Sequence, residues 1–234
     1  MTTFDKRVAL VTGASRGIGA AAALALAKTG VHVVALARNT RGLETLDDSI
    51  KAIGGSCTLL PYDLLKADLI EGLGPVLFGK FGRLDILVGN AAMLGGLTPI
   101  AQTDPATWER VFALNVTANM RLIRTCDPLL RASDSGRAVF VTSGAAQSCK
   151  PFWGAYATSK AALEAMVRVY AAEVAHTNLK VNLLDPGRVR TAMRAEAYPG
   201  EDPQTLPEPS VVAEAIVAAT LPHIAAHGTC IKVA

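Results

Sequence analysis

Seven short apolar runs, separated by stretches of helical composition, restrict the architectures open to this chain more than any other feature. They lie at 8–11, 32–37, 57–60, 84–88, 138–141, 180–184 and 229–233 and are rich in Val, Leu and Ile. Runs that stay apolar instead of alternating with polar residues belong to strands covered on both faces. The stretches 20–28, 43–53, 108–130, 156–174 and 211–220 have helical composition. Strand–helix–strand repetition of this kind builds a parallel sheet through right-handed crossovers. Such crossovers close into a barrel or spread into an open, doubly wound sheet, and a glycine-rich turn directly after the first run favours the open form. The expected fold is α/β: a doubly wound, seven-stranded, mostly parallel sheet with helices on both faces. One such domain over 1–234 accounts for the chain. The Pro-, Gly- and acid-rich stretch 198–209 breaks the pattern after the sixth run and reads as a surface loop.

Composition removes several classes of function. Half of the residues are apolar and only 18% are charged, which excludes a disordered chain. No apolar run approaches the roughly 20 residues that cross a bilayer. Met1-Thr2-Thr3 leads into the first strand without the pattern of an export signal, so a cytoplasmic protein is expected. Cys57, Cys126, Cys149 and Cys230 form no CxxC pair, and His32, His176, His223 and His227 show no HExxH spacing; reduced thiols and no metal are expected. A net charge of +3 from scattered basic residues marks neither a nucleic-acid nor a membrane surface.

The turn after the first run reads Thr12-Gly13-Ala14-Ser15-Arg16-Gly17-Ile18-Gly19 and opens an Ala-rich helix. Backbone N–H groups at such a helix start, with the helix dipole behind them, form a site for a pyrophosphate, as in Rossmann-like folds. Gly13 lets the chain turn, Gly17 lets backbone approach the phosphates, and Gly19 permits close helix–strand packing. At the end of the second run, Leu36-Ala37-Arg38-Asn39 has no carboxylate to hold a ribose 2′-hydroxyl, whereas Arg38 suits a 2′-phosphate. NADP(H) is therefore expected ahead of NAD(H).

Further along, Tyr156-Ala157-Thr158-Ser159-Lys160 opens the stretch 156–174, and i,i+4 spacing puts the phenol and the ammonium on one helix face. A free phenol, with a pKa near 10, is a poor proton shuttle at neutral pH. A neighbouring ammonium and an oxidised nicotinamide both favour phenolate.

Taken together, these motifs resemble the short-chain dehydrogenase/reductase family of the compact single-domain type, over the chain from Val8 to the last strand. The family's Thr-Gly-x3-Gly-x-Gly turn is matched at 12–19, its strand-three Asp by Asp63, its helix-four Asn by Asn115, and its Pro-Gly after strand six by Pro186-Gly187. Its serine, thirteen residues before the tyrosine, is Ser143. The resemblance implies a catalytic set of Asn115, Ser143, Tyr156 and Lys160, with Asn115 holding a water that links Lys160 to solvent. It implies cofactor contacts from Gly13, Ser15, Arg16, Gly17, Ile18, Gly19, Arg38, Asp63, Leu64, Asn90, Ala91, Tyr156, Lys160, Pro186, Gly187, Val189 and Thr191. Arg16 occupies the family's second NADP-selecting position, and Thr191 the one that meets the nicotinamide carboxamide. A homotetramer or homodimer is implied, packed through 108–130 and 156–174. One segment departs from the pattern: Gly89-Asn90-Ala91-Ala92 stands where the family has Asn-Asn-Ala-Gly, so a methyl replaces a glycine beside the cofactor.

The activity implied is hydride transfer between NADP(H) and a carbonyl or secondary alcohol, with Tyr156 as proton donor or acceptor and Ser143 polarising the substrate oxygen. A catalytically silent nucleotide-binding regulator or partner subunit is the alternative. The substrate is expected to be small and apolar, walled by Met93-Leu94-Gly95, by 147–153 and by the loop 188–209. Phe152 and Trp153 serve as a lid or as core packing. Arg188, Arg190 and Arg194 suggest an anionic substrate, against the commoner outcome of a solvated face.

Overall fold

The computed structural model describes residues 6–233; the N-terminal stretch considered above for an export signal lies outside the described residues. The seven runs form β1 (Val8–Thr12), β2 (His32–Leu36), β3 (Cys57–Leu60), β4 (Ile86–Gly89), β5 (Arg137–Val141), β6 (Lys180–Asp185) and β7 (Cys230–Lys232). They make one sheet in the order β3-β2-β1-β4-β5-β6-β7. Where a mostly parallel sheet was expected, every pair of neighbours among these strands is parallel. The chain winds outward from β1 to β3, returns to place β4 on the other side of β1, and then winds outward again. That reversal between β1 and β4 opens a crevice at the carboxyl ends of the strands, where open α/β sheets bind their ligands.

Alternating side chains of the strands supply two cores. Val8 and Leu10 face one side with Phe140 and Leu183; Ala9 and Val11 face the other with Val88 and Val139. The first core is closed by α4 (Leu73–Phe81), α6 (Ala118–Arg131) and α8 (Gly154–Glu173). The second is closed by α1 (Gly17–Lys28), α2 (Thr40–Ala52) and α10 (Pro209–Ala219). With both faces covered, β1, β2, β4 and β5 are buried along their whole length. Hence the unbroken apolar runs. No helix of the described residues is long and apolar enough to cross a membrane.

Three local departures from the sequence expectation have physical causes. Two helices between β3 and β4, α3 (Ala67–Glu71) and α4, were not anticipated, because Gly72, Gly74, Pro75 and Gly79 dilute the helical composition there. Gly74 explains one of these glycines: its N–H donates to Thr125 Oγ1 at 3.0 Å, and a Cβ would lie 2.6 Å from the Thr125 carbonyl. The helical stretch 108–130 is in fact two helices, α5 (Pro105–Phe112) and α6, joined by a π-helical turn over Ala113–Thr117. That wider turn directs Asn115 into the interior. The loop after β6 contains a helix, α9 (Ala192–Ala197), capped by the Thr191 hydroxyl accepting from Arg194 N–H at 3.1 Å, while 198–209 remains loop-like around a short 3-10 turn, Pro203–Thr205.

Candidate active site

A cleft of about 1080 Å³ lies over the carboxyl ends of the strands, fed by the segments that follow β1 to β6. The turn after β1 forms one part of its wall. Gly13 sits at φ +67°, and a Cβ there would approach Asn90 Nδ2 to 2.9 Å and Ala91 Cα to 3.1 Å. Gly17, at φ +56°, is limited by its backbone angle instead, since a Cβ would meet only Thr191 Cγ2 at 3.6 Å. Gly19 does not line the cleft; it lets α1 start against β1, where a Cβ would lie 2.3 Å from the Gly13 carbonyl oxygen. Thr12 and Asn90 lock this corner. Asn90 Nδ2 donates to the Thr12 carbonyl at 2.9 Å, and Thr12 Oγ1 accepts from the N–H groups of Asn90 and Ala91 at 2.9 and 3.1 Å.

The substitution after β4 is absorbed without strain. Ala92 lines the cleft with no positive φ, so its methyl sits on a backbone any L-residue adopts. Gly89 has its own reason: a Cβ there would lie 2.4 Å from the Phe140 ring.

Most of the expected cofactor residues converge on this cleft. Ser15, Arg16 and Ile18 line it beside Gly13 and Gly17, and Arg38, Asp63, Leu64, Asn90 and Ala91 continue the wall. Pro186, Gly187, Val189 and Thr191 close the far side. Arg16 and Arg38 are exposed, and Arg38 lies 4.0 Å from the Asp63 carboxylate, too open a pair to hold the guanidinium away from a stronger anion. Glycine conformations that leave the turn open, a helix N-terminus and two exposed arginines suit a phosphorylated dinucleotide.

At the reaction end, α8 places Tyr156 and Lys160 one turn apart and Ser143 follows β5. Ser143 Oγ accepts from Ala145 N–H at 3.2 Å, which fixes the hydroxyl, and Ser143 lines the cleft together with Tyr156. Lys160 is buried, with Nζ donating to the Val141 carbonyl at 2.8 Å and lying 5.7 Å from the centre of the Tyr156 ring. Burial lowers its pKa to about 8. The phenol moves the other way from the expectation for a cofactor-loaded site: burial pushes it up to about 12, Ser143 works against the rise, and the Asp185 carboxylate adds to it. Desolvation is the largest of these effects.

Asn115 lies behind the cleft wall. Its side chain donates to the Met93 carbonyl and to Ser159 Oγ, both at 3.0 Å, and accepts from Met93 N–H at 2.9 Å. Ser159 Oγ in turn donates to the Tyr156 carbonyl at 2.7 Å. Fully buried and outside the cleft lining, Asn115 clamps the loop after β4 to α8. Its side-chain amide is spent on protein, and its main-chain carbonyl accepts from Asn119 Nδ2 at 2.9 Å, leaving one lone pair for a water.

The remaining walls belong to loops and short helices. Met93, Leu94, Gly95 and Trp153 line the cleft as expected, but 147–152 do not. Phe152 is 57% exposed at φ +73°, whereas Trp153 meets the Tyr156 ring edge-on at 5.8 Å and Tyr198 on its other side at 5.8 Å. Arg194 stacks on Tyr198 at 3.8 Å and pairs with Glu201 at 2.5 Å; Arg190 pairs with Glu208 at 2.8 Å. Those two arginines are therefore already neutralised. Thr107, Arg110 and Leu114, at helical spacing along α5 and the π turn, also line the cleft and were not anticipated. Nothing in their local sequence marks them, because only the packing of α5 turns that face inward. Glu164, buried on α8, was likewise unmarked; it accepts from Thr142 Oγ1 at 2.9 Å and from Arg168 at 2.8 Å, bracing the strand end that carries Ser143.

A family model for short chain dehydrogenases matches residues 7–202. The uncharacterized oxidoreductase YciK of Escherichia coli K12 is 39% identical over 209 residues, covering 88% of this chain and 82% of that protein. A 3-oxoacyl-[acyl-carrier-protein] reductase of Synechocystis is 34% identical, covering 82% of this chain and 78% of its own length. Among solved structures, a short chain dehydrogenase of Shigella flexneri complexed with NADP superimposes with a TM-score of 0.91 at 35% identity, over 99% of this chain and 98% of that one. With the parallel sheet, the glycine turn and the Ser143–Tyr156–Lys160 cluster in their expected places, this chain belongs to the short-chain dehydrogenase family of oxidoreductases.

Proposed function

We propose that the protein interconverts a ketone or aldehyde and the corresponding alcohol with NADP(H). One observation carries this reading: Ser143, Tyr156 and Lys160 line the same cleft as Arg16 and Arg38. NADPH supplies the hydride when bound. Arg16 and Arg38 hold its 2′-phosphate, the turn 13–19 its pyrophosphate, and Lys160 with Thr191 the nicotinamide end. In reduction, Tyr156 releases its phenolic proton to the carbonyl oxygen as the carbon accepts hydride, so that one hydride and one proton convert C=O to CH–OH. Ser143 stabilises the same oxygen through a hydrogen bond. The high pKa of the buried phenol keeps it protonated and able to donate at neutral pH. Asn115 acts as a positioning residue, and the positive charge of Lys160, below its pKa of about 8, compensates the phenolate left behind.

The discriminating experiment is Tyr156→Phe assayed against a panel of ketones and alcohols by nicotinamide absorbance. Turnover is expected to vanish while NADPH affinity stays within a few-fold, because the ring remains and only the proton is lost. Activity within about tenfold of the parent would remove Tyr156 from its role. A homodimer or homotetramer packed through α6 and α8 belongs to the same reading, supported by Met120 and Val169, which stand 42% and 58% exposed on those helices. Sedimentation at micromolar concentration checks it; a stable 24.4 kDa species would overturn the interface.

A further inference from the structure

Part of the cleft is built by the loop after β4, α5, Trp153 and α9, and its walls are mainly apolar: Leu94, Leu114, Trp153, Met193 and Ala197. Two cations, Arg110 and Arg194, stand among them. Arg110 faces the cleft from α5, on the same helical stripe as Thr107 and Leu114. The rotation of α5 is fixed, since Val111, the next residue, is fully buried beneath Gly95, where a Cβ would come within 2.3 Å of the Val111 side chain. Arg110 is therefore committed to this side by packing.

What separates Arg110 from the other arginines nearby is its lack of a partner. Arg190 is bound to Glu208, and Arg194 is held by Glu201 and by the Tyr198 ring. Arg110 forms no ion pair among the described residues, and Glu196, the carboxylate that α9 adds to the cleft, is not within ion-pair distance of it. A guanidinium presents a planar fork that matches a carboxylate through two parallel hydrogen bonds, and such a pair strengthens when one side of it is screened from water by apolar walls. Resting on the function proposed above, we infer that Arg110 is the substrate-anchoring cation. The substrate is then a carbonyl compound or alcohol with a hydrocarbon body and a carboxylate, the body lying along Leu94, Trp153 and Met193 and the carboxylate on Arg110.

Calorimetric titration of the protein with octanoate and with octanamide, both in the presence of NADPH, tests this without requiring turnover. The two probes share a hydrocarbon chain and differ in charge. Octanoate is expected to bind about tenfold more tightly than octanamide, the advantage falling to within twofold in Arg110→Gln and partly returning in Arg110→Lys. Octanoate binding no tighter than octanamide, or an advantage undiminished in Arg110→Gln, overturns the assignment. NADPH binding, titrated separately in the same cell, bears on the functional reading alone. A protein that binds NADPH and prefers octanoate yet reduces no carbonyl would retain the anion site and lose the enzymatic role.

Discussion

Lys160 offers a test in which stability and activity move in opposite directions. The residue is 2% exposed, and burial alone moves its pKa from 10.5 to about 8. Below about pH 8 the folded protein carries a charge that the unfolded chain solvates better, and the lowering to about 8 corresponds to about 3 kcal/mol of lost stability. Between pH 8 and 10.5 the unfolded chain binds a proton that the folded protein has released, so stability rises with pH across that window. From about pH 7 to about pH 9.5 the gain amounts to about 2 kcal/mol. Replacing Lys160 with Met keeps the length of the side chain and removes the charge, at the cost of the 2.8 Å hydrogen bond to the Val141 carbonyl, about 1 kcal/mol. Lys160→Met is therefore expected to be about 2 kcal/mol more stable than the parent near pH 7, a rise in Tm of about 4–8 °C, while losing turnover. Urea unfolding of both proteins at several pH values measures it, since groups other than Lys160 cancel in the difference. The advantage of Lys160→Met should shrink by about 2 kcal/mol toward pH 9.5. A less stable Lys160→Met protein near pH 7, or a difference independent of pH, would refute the buried-ammonium account.

Cofactor choice and the clamp at Asn115 are open to equally direct measurement. The parent should favour NADP(H) over NAD(H) about thirtyfold in kcat/KM, from about 2 kcal/mol supplied jointly by Arg16 and Arg38 after solvent screening. Arg38→Asp, which adds a carboxylate next to Asp63, should narrow or reverse that ratio; equal use of both cofactors by the parent, or an unchanged ratio in the variant, would sink the assignment. Asn115→Ala deletes three hydrogen bonds at a buried site and leaves Met93 N–H and C=O to compete for solvent, so thermal unfolding should show a loss of about 3 kcal/mol, or about 6–12 °C in Tm. A loss under about 1 kcal/mol would mean that the clamp is dispensable.

The sheet was legible because its cause is local: each strand is covered on both faces, and that condition writes an apolar run wherever a strand falls. The glycine turn was legible for a similar reason, with Gly13 and Gly17 both at positive φ and Gly19 pressed against backbone. Tyr156 and Lys160 sit one turn apart on a single helix, so their juxtaposition needs no tertiary contact to be foreseen. By contrast, the part of the cleft meant for substrate joins Leu94, Arg110, Trp153 and Met193, four residues spread over a hundred positions. No period relates them. They meet because the crossovers deliver the loop after β4, the start of α8 and the loop after β6 to the same edge of the sheet.

The same distinction explains why charge carried less information in the sequence than glycine did. Arg188, Arg190 and Arg194 form a conspicuous cluster in the sequence, yet two of them are consumed by Glu208 and Glu201, whose pairing depends on how the loop folds back after α9. The Arg194–Glu201 pair and the chain of ring contacts from Arg194 through Tyr198 and Trp153 to Tyr156 tie that loop to α8. Arginines spent in this way shape the pocket. The cation left to recognise a substrate is the one whose neighbours in sequence gave it no distinction and whose neighbours in space leave its charge unmatched. For a cleft of this kind, the informative quantity is the charge that remains after internal pairing, and that quantity exists only once the chain has folded.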